Sequence, residues 1–226
     1  MSSGLVQGVF FVVFLLFSGT VHELSHALAA DYFGDNTPRF NNRLTLNPIP
    51  HIDPIWTLLM PVGLLLLSGG QFAFGGAKPV SMNPANFRHP QRDFTIAAAV
   101  GPMSNFILAF VGILISIFMV QLGYVEYADF DLRSDDITAT ALYIFYFTNI
   151  ILAGFNLIPI PPLDGSRILR YYLPRSMKQQ FDQLSGPMGM VIILILALSG
   201  VFGFVLHPFI IYSIEFFLYM IRTFAL

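Results

Sequence analysis

Long apolar runs with almost no charge constrain what this chain can fold into more than any other feature of its sequence. A helix needs about 20 apolar residues to cross the roughly 30 Å hydrocarbon core of a membrane. Four runs meet that length, namely about 5–30, 94–120, 137–163 and 187–206. We therefore predict an all-α polytopic membrane protein with about five to six transmembrane helices.

Two shorter apolar runs are harder to place. Residues 55–69 contain a proline and a glycine and lie between cation-bearing loops, which favours a re-entrant or short segment over a full span. Residues 209–221 follow a His-Pro pair and include Glu215, so this piece could span the membrane or lie on its surface. We expect the whole chain, residues 1–226, to form a single membrane-embedded domain.

Composition excludes several classes of function. Only 11% of the residues are charged and the net charge is −2, so no basic surface is available to neutralise the phosphates of a nucleic acid. The chain has no cysteine, which excludes disulfides, thiolate metal sites and thiol nucleophiles. Any bound metal must therefore use nitrogen and oxygen ligands. Because the N-terminal run lacks Lys and Arg, we expect it to remain in place rather than be cleaved as a signal peptide.

The sequence HELSH at residues 22–26 carries the strongest chemical signal. On a helix, two histidines at positions i and i+4 project from one face and can share a metal ion. In zinc hydrolases with this spacing, the glutamate is not a ligand and instead takes a proton from the attacking water. Three ionisable groups in five residues are costly inside a membrane helix, so a functional role is favoured over a pair of buried structural histidines.

A zinc site with an open catalytic position needs a third protein ligand, and Asp164 is the best candidate. Asp164 lies near the end of residues 156–165, where three prolines should break the helix in or near the membrane. Non-helical backbone at that depth is tolerated where it is buried or lines a wet cavity. Asn156 and Asp164 are therefore candidate site residues, although an ordinary helix exit at the membrane surface is the alternative.

The charges of the loops predict an orientation. Segment 121–136 has five acidic residues against one Arg, whereas 78–92 and 167–178 have three and four cations. The positive-inside rule places the first segment outside and the other two in the cytoplasm. The first helix then runs inward, and both the HELSH sequence and Asp164 fall in the cytoplasmic half of the membrane.

Together these motifs resemble the site-2 protease family of intramembrane zinc metalloproteases, particularly its compact prokaryotic members without PDZ or CBS domains. The resemblance rests on residues 22–26, on a GxxxN-type motif at 101–105 and on residues 156–165, which follow the order of the family. About seventy residues separate the first two motifs, which departs from better-studied members and leaves the number of spans open.

The resemblance implies specific roles for the matching residues. His22, His26 and Asp164 would hold one Zn²⁺ per chain, with Glu23 as the general base. Asn156 would position the substrate or support the transition state.

The resemblance also assigns supporting elements. Gly101 and Asn105 would pack helices around the site. A membrane-associated strand or hairpin beside the site would present the substrate, with these residues as candidates: Gly76, Ala77, Lys78, Pro79 and Val80. An ordinary glycine-rich loop is the alternative for that stretch. For His51 and Asp53, a capped turn at the membrane surface is favoured over metal binding.

The expected activity is hydrolysis of a peptide bond in or near a transmembrane segment of a membrane protein, within the lipid bilayer of the cell. Two rivals remain. A metal or proton transporter would also place His, Asp and Glu inside the membrane, although such proteins often show internal repeats and none is evident here. A catalytically silent relative would be expected to lack part of the HExxH motif or the aspartate.

Overall fold

The computed structural model describes residues 3–59, 63, 77–130, 134–184 and 186–225. Helices form most of the described chain. We label them in chain order: α1 (Ser3–Tyr32), α2 (Thr37–Phe40), α3 (Pro90–Gln121), α4 (Ile137–Asn156), α5 (Asp164–Tyr172), α6 (Arg175–Gln183), α7 (Pro187–Leu198) and α8 (Val201–Ala225). Short helical turns lie at Ile49–His51, Pro54–Leu59, Pro84–Asn86 and Tyr127–Asp129.

In the part of the chain that the structure describes, four helices are long and apolar enough to cross a membrane, namely α1 from Gly4 onward, α3, α4 and α8. A fifth span is possible if α6 and the bent continuation into α7 are counted as one. These helices expose many large apolar side chains, a pattern that would be costly in water and is expected against lipid; examples are Val12, Ile107, Phe118 and Phe204. The prediction of an all-helical chain is confirmed for the described residues. The length and apolar composition of these helices support a multi-pass membrane protein.

The predicted strand or hairpin beside the site is not borne out by the described residues. Gly76 lies outside them, and residues 77–83 form no strand. The backbone groups of Lys78 are already bonded, because its N–H donates to the carbonyl of His51 at 2.7 Å and its carbonyl accepts from the Arg43 guanidinium. Pro79 has no N–H to offer, so the segment lacks the row of backbone donors that pairing with another strand needs.

Helix α4 ends at Asn156, earlier than the end of the apolar run 137–163 suggests. The turn that follows contains three prolines, and the residue before a proline is disfavoured in helical conformation. Ile158, which precedes Pro159, lies in this turn. The break that the prolines predict therefore occurs, but the helix stops before the first of them.

The run 187–206 does not form one continuous helix. Helix α7 stops at Leu198, and Gly200 adopts a positive φ of 76°, a conformation that glycine accepts without steric cost. The Gly200 N–H donates to the carbonyl of Ala197, which caps the helix end. Helix α8 then continues through Pro208, so the break lies before this proline and not at it. Of the run 55–69, only residues 55–59 and 63 are described.

The described chain divides into two compact units. One unit is Leu16–Gly101 and has a small core in which Ala30, Phe87 and Ala97 are buried. The other consists of Met1–Leu15 and Pro102–Leu226. Its core is larger and aromatic, with these members among others: Tyr143, Tyr146, Ile150, Phe217 and Ile221.

Asp35 organises the polar part of the Leu16–Gly101 unit. The carboxylate is buried just after α1 and accepts hydrogen bonds from the backbone N–H of Asn83 at 2.7 Å and from the Asn86 side chain at 2.9 Å. Burial raises the pKa of Asp35, but hydrogen bonds from Thr37, Asn86 and Asn83 outweigh it and hold the pKa below its usual value. The chain entering α3 is thereby tied to the end of α1.

Candidate metal centre

His22 and His26 lie one turn apart on the C-terminal half of α1, and both are buried. Their Nε2 atoms are 3.0 Å apart, and the two rings are nearly perpendicular at 83°. A tetrahedral zinc ion with bonds of about 2.0–2.1 Å holds two nitrogen ligands about 3.3 Å apart. The two histidines therefore offer a pair of nitrogen ligands at almost the spacing that one metal ion requires.

The orientation of His26 is fixed by the backbone of α3. Its Nδ1 lies 2.7 Å from the carbonyl oxygen of Ala97. Because a carbonyl oxygen can only accept, Nδ1 must carry the hydrogen, which leaves the lone pair of Nε2 for a metal. This hydrogen bond selects the tautomer that a metal ligand needs.

Gly101 on α3 lies directly against both imidazole rings. A Cβ atom at this position would overlap the ring of His26 and come within 2.8 Å of Nε2 of His22. No side chain fits here unless the rings move. The predicted supporting role of Gly101 therefore has a steric basis. The space that a side chain at this position would fill is occupied by the two imidazole rings.

Asp164 is the first residue of α5, and its carboxylate is buried. Its Oδ1 lies 3.3 Å from Nη1 of Arg167, one turn further along the helix. The next residue, Gly165, packs against the end of α4, where a Cβ would overlap the carbonyl oxygen of Leu157 and lie 2.7 Å from that of Ile158. The glycine thus lets the first turn of α5 pack tightly against the end of α4.

The two histidines and Asp164 form a candidate ligand group among the described residues. One ligand atom from each of the three lies within 4.8 Å of the other two. Two imidazole nitrogens and one carboxylate oxygen are a donor set typical of catalytic zinc, where the fourth coordination position stays open. The chemistry and spacing of these donors fit a zinc ion.

Glu23 follows the first histidine and is only 9% exposed. Its Oε2 accepts a hydrogen bond of 2.7 Å from the backbone N–H of Val80. The charge of Glu23 also interacts favourably with the Arg43 guanidinium. The carboxylate is thus held by one backbone donor and lies close enough to a buried cation to interact with its charge.

The sequence alone did not single out Arg43 as a site residue, because an arginine in a loop normally lies in solvent. Here it is buried, with 4% of its surface exposed. Burial lowers the pKa of Arg43 and the Glu23 carboxylate raises it, and the guanidinium stays charged. Arg39, four residues earlier, shows the ordinary pattern, since it is exposed and pairs with Asp31 at 2.6 Å.

His51 is also buried, although a surface turn was expected there. Its Nε2 lies 3.0 Å from the carbonyl oxygen of Thr45 and therefore carries the ring hydrogen. Burial lowers the pKa of His51, which favours the neutral ring. Neither His51 nor Asp53 belongs to the group of clustered metal-ligating side chains in the described chain.

The predicted supporting residue Asn105 lies one turn beyond Gly101 and is fully buried. Its amide donates to Oδ1 of Asn149 on α4 at 3.0 Å, and the Asn149 amide donates to the carbonyl of Phe145 at 2.9 Å. Hydrogen bonds of this kind between membrane helices contribute about 0.6–2 kcal/mol. Asn149 was not singled out from the sequence, although a polar residue in an uncharged membrane run is itself a signal.

Asn156 is the last residue of α4 and is partly buried. Its side-chain nitrogen donates to the carbonyl of Leu152 at 2.9 Å, within the same helix. One of the two amide hydrogens is thus bonded locally. Its role toward a substrate stays a prediction.

We expect the substitution Gly101→Ala to displace the imidazoles and to lower metal affinity at least about tenfold, as loss of a group that orients a ligand does. The measurement is the metal content of each purified chain by mass spectrometry after dialysis against a weak chelator. Gly203→Ala is the matched control, because a Cβ there meets nothing within 4 Å. Equal metal content in the two variants would show that Gly101 does not support the histidines.

Comparison with known proteins decides the family. The model of "Peptidase family M50" matches residues 123–196. "Putative zinc metalloprotease YwhC" of Bacillus subtilis is 35% identical over 199 residues, which cover 88% of this chain and 84% of that protein. The chain belongs to peptidase family M50, the site-2 protease family.

A second relative of this M50 peptidase is more distant. "Putative zinc metalloprotease Rip2" of Mycolicibacterium smegmatis is 30% identical over 168 residues, which cover 74% of this chain and 59% of that protein. No solved structure matches the chain. The resemblance seen in the motifs is therefore confirmed at the level of the family, and the chain is a metalloendopeptidase of the site-2 type.

Proposed function

We propose that this M50 peptidase cuts a peptide bond in or near a transmembrane segment of a membrane protein, with one zinc ion held by His22, His26 and Asp164. The observation that carries the proposal is the buried ligand group, whose donor atoms lie within 4.8 Å of one another and whose histidines belong to a helix long and apolar enough to span a membrane. The names of both relatives as zinc metalloproteases support the choice of metal.

When bound by His22, His26 and Asp164, a zinc ion would supply Lewis-acid polarisation of the scissile carbonyl and would lower the pKa of the attacking water. Glu23 takes the proton of that water and delivers it to the leaving amine. Because the Val80 N–H donates to Oε2 of Glu23, we expect the other oxygen, Oε1, to receive the proton of the attacking water. The buried position of Glu23 limits proton exchange with bulk solvent during this transfer.

Asn156 stabilises the negative charge that develops on the scissile carbonyl oxygen. One hydrogen of its amide is bonded to the Leu152 carbonyl, and the other is available to a substrate. A donor of this kind in a site that excludes water contributes about 3–4 kcal/mol to the stability of a transition state. Asn105 takes no part in the chemistry and acts through its packing against Asn149.

The active site lies in the cytoplasmic half of the cell membrane. Cations concentrate in segments 78–92 and 167–178, whereas 121–136 is acidic, and this asymmetry supports an inward-running α1. A substrate helix must unwind before water can reach its peptide bond, so a transmembrane segment with helix-destabilising residues at that depth fits best.

Metal removal tests the proposed function directly. The purified protein is reconstituted in liposomes with solubilised membrane proteins of the cell that expresses it, and released fragments are identified by mass spectrometry. We expect cleavage to stop when the metal is chelated and to return when zinc is added, with new termini inside transmembrane segments. Zinc flux into the liposomes without any cleavage would instead favour a transporter and would overturn the proposal.

A further inference from the structure

A buried arginine joins two segments of backbone, one of which contacts the general base. Arg43 donates from Nη1 to the carbonyl of Pro50 and from Nη2 to the carbonyl of Lys78. Both acceptors are backbone carbonyls rather than carboxylates, so the guanidinium joins two segments of chain and keeps its charge unneutralised by direct contact. Burying a guanidinium is costly, so the two hydrogen bonds that Arg43 makes must offset part of that cost.

Residues 77–80 contact both Arg43 and Glu23. Lys78 receives a second tie through its N–H, which donates to the His51 carbonyl at 2.7 Å. Two residues further along, the Val80 N–H donates to Oε2 of Glu23 at 2.7 Å. Lys78 and Val80 therefore both use backbone groups in hydrogen bonds within the protein.

This arrangement explains why the segment is not available as a docking edge for a substrate. Lys78 has both backbone groups bonded, Pro79 has no N–H, and the N–H of Val80 is bonded to the base. The segment instead presents the N–H of Val80 to the carboxylate of Glu23, which must receive a proton.

We propose that Arg43 is a positioning residue for the peptidase reaction, which orients Glu23 by fixing the backbone that carries the Val80 N–H. The inference rests on the proposed role of Glu23 as general base. Arg43 acts at the base through this backbone and through its charge, and it does not touch the metal ligands in the contacts described. Lysine cannot replace it fully, because an ammonium lacks the planar fork that reaches two carbonyls at fixed angles.

The experiment compares Arg43→Met and Arg43→Lys with the wild type, using a fluorogenic peptide that contains a transmembrane segment. For Arg43→Met we expect kcat to fall about 100-fold, as expected for a misplacement of about 1 Å at a reacting group, with KM and zinc content nearly unchanged. Arg43→Lys should recover part of kcat. Arg39→Met is the matched control, since Arg39 is exposed and pairs only with Asp31 among the contacts described.

A second measurement does not depend on activity. The chain has no cysteine, so Lys78→Cys creates a unique site for a spin label, and the Lys78 side chain is exposed. Electron paramagnetic resonance should show a more mobile label in the Arg43→Met background and an intermediate label with Arg43→Lys. If the wild type shows no cleavage, the proposed function fails, while the label still reports whether Arg43 holds the segment.

Three results would overturn the proposal. One is an unchanged label together with an unchanged kcat in Arg43→Met. The second is a loss of zinc that parallels the loss of kcat in both variants, since this would mean that Arg43 maintains the fold of the site rather than the position of its base. A raised KM with an unchanged kcat would equally contradict it, because it would assign Arg43 to substrate binding.

Discussion

Glu23→Gln should abolish proteolysis and leave zinc bound. Glutamine has nearly the same shape as glutamate, and its amide oxygen can still accept the hydrogen bond from the Val80 N–H. It cannot take a proton at working pH, so the loss should be of the size that general base catalysis contributes, about 10²–10⁴-fold in kcat. The measurements are cleavage of a transmembrane peptide under single-turnover conditions and zinc content per chain.

The matched control is Glu126→Gln, which removes a carboxylate from an exposed position outside α1. This variant should cleave at the wild-type rate. Retained cleavage by pure Glu23→Gln would sink the assignment of the general base, and with it the interpretation of the HELSH sequence as a catalytic motif. Loss of zinc from the same variant would instead mean that the carboxylate is needed to hold the metal.

The candidate catalytic residues could be singled out from the sequence because their chemistry is local. Two histidines at i and i+4 share a face on any helix, and an intramembrane cluster of ionisable groups is rare enough to stand out. The family comparison confirms the class of enzyme that this pattern indicates. Asp164 needed a long-range argument from depth in the membrane, and the structure brings a ligand atom of Asp164 within 4.8 Å of those of the two histidines.

The contacts around the base could not be identified in the same way. Arg43 lies in a loop, and nothing in its neighbours along the chain signals that it is buried. Its partners, Pro50 and Lys78, contribute backbone carbonyls, which every residue has and no sequence pattern marks. The expected strand at residues 76–80 was wrong for its described part, 77–80, because the choice between strand and loop depends on which groups take the backbone hydrogen bonds.

Helix boundaries were predicted well where local chemistry decides them and less well where two signals compete. The start of α4 agrees with the sequence, because Asp136 accepts a hydrogen bond from the backbone N–H of Ala139 at 2.7 Å and caps the helix. In the last apolar region a glycine and a proline compete as helix terminators. Gly200 ends α7, while Pro208 is accommodated inside α8, as prolines in membrane helices often are.

Asp164→Asn should lose activity because it loses the metal, whereas Glu23→Gln should lose activity because it loses the general base. The substitution keeps the shape of the side chain but removes the negative charge of the only carboxylate in the described ligand group. Loss of an outer-shell partner already weakens metal binding about 10–100-fold, so loss of a charged ligand should cost at least about 100-fold in zinc affinity. Cleavage should then disappear at low zinc and recover in part when zinc is added in excess.

The two variants are separated by a titration of zinc against cleavage and against metal content in the same samples. Glu23→Gln should remain inactive at full occupancy, whereas the activity of Asp164→Asn should rise with its occupancy. Asp182→Asn is the matched control, because Asp182 pairs with Arg170 at 2.5 Å on the neighbouring helices α5 and α6 and is largely exposed. Wild-type zinc affinity in Asp164→Asn would rule this aspartate out as a ligand, and the third ligand would have to be sought elsewhere in the chain.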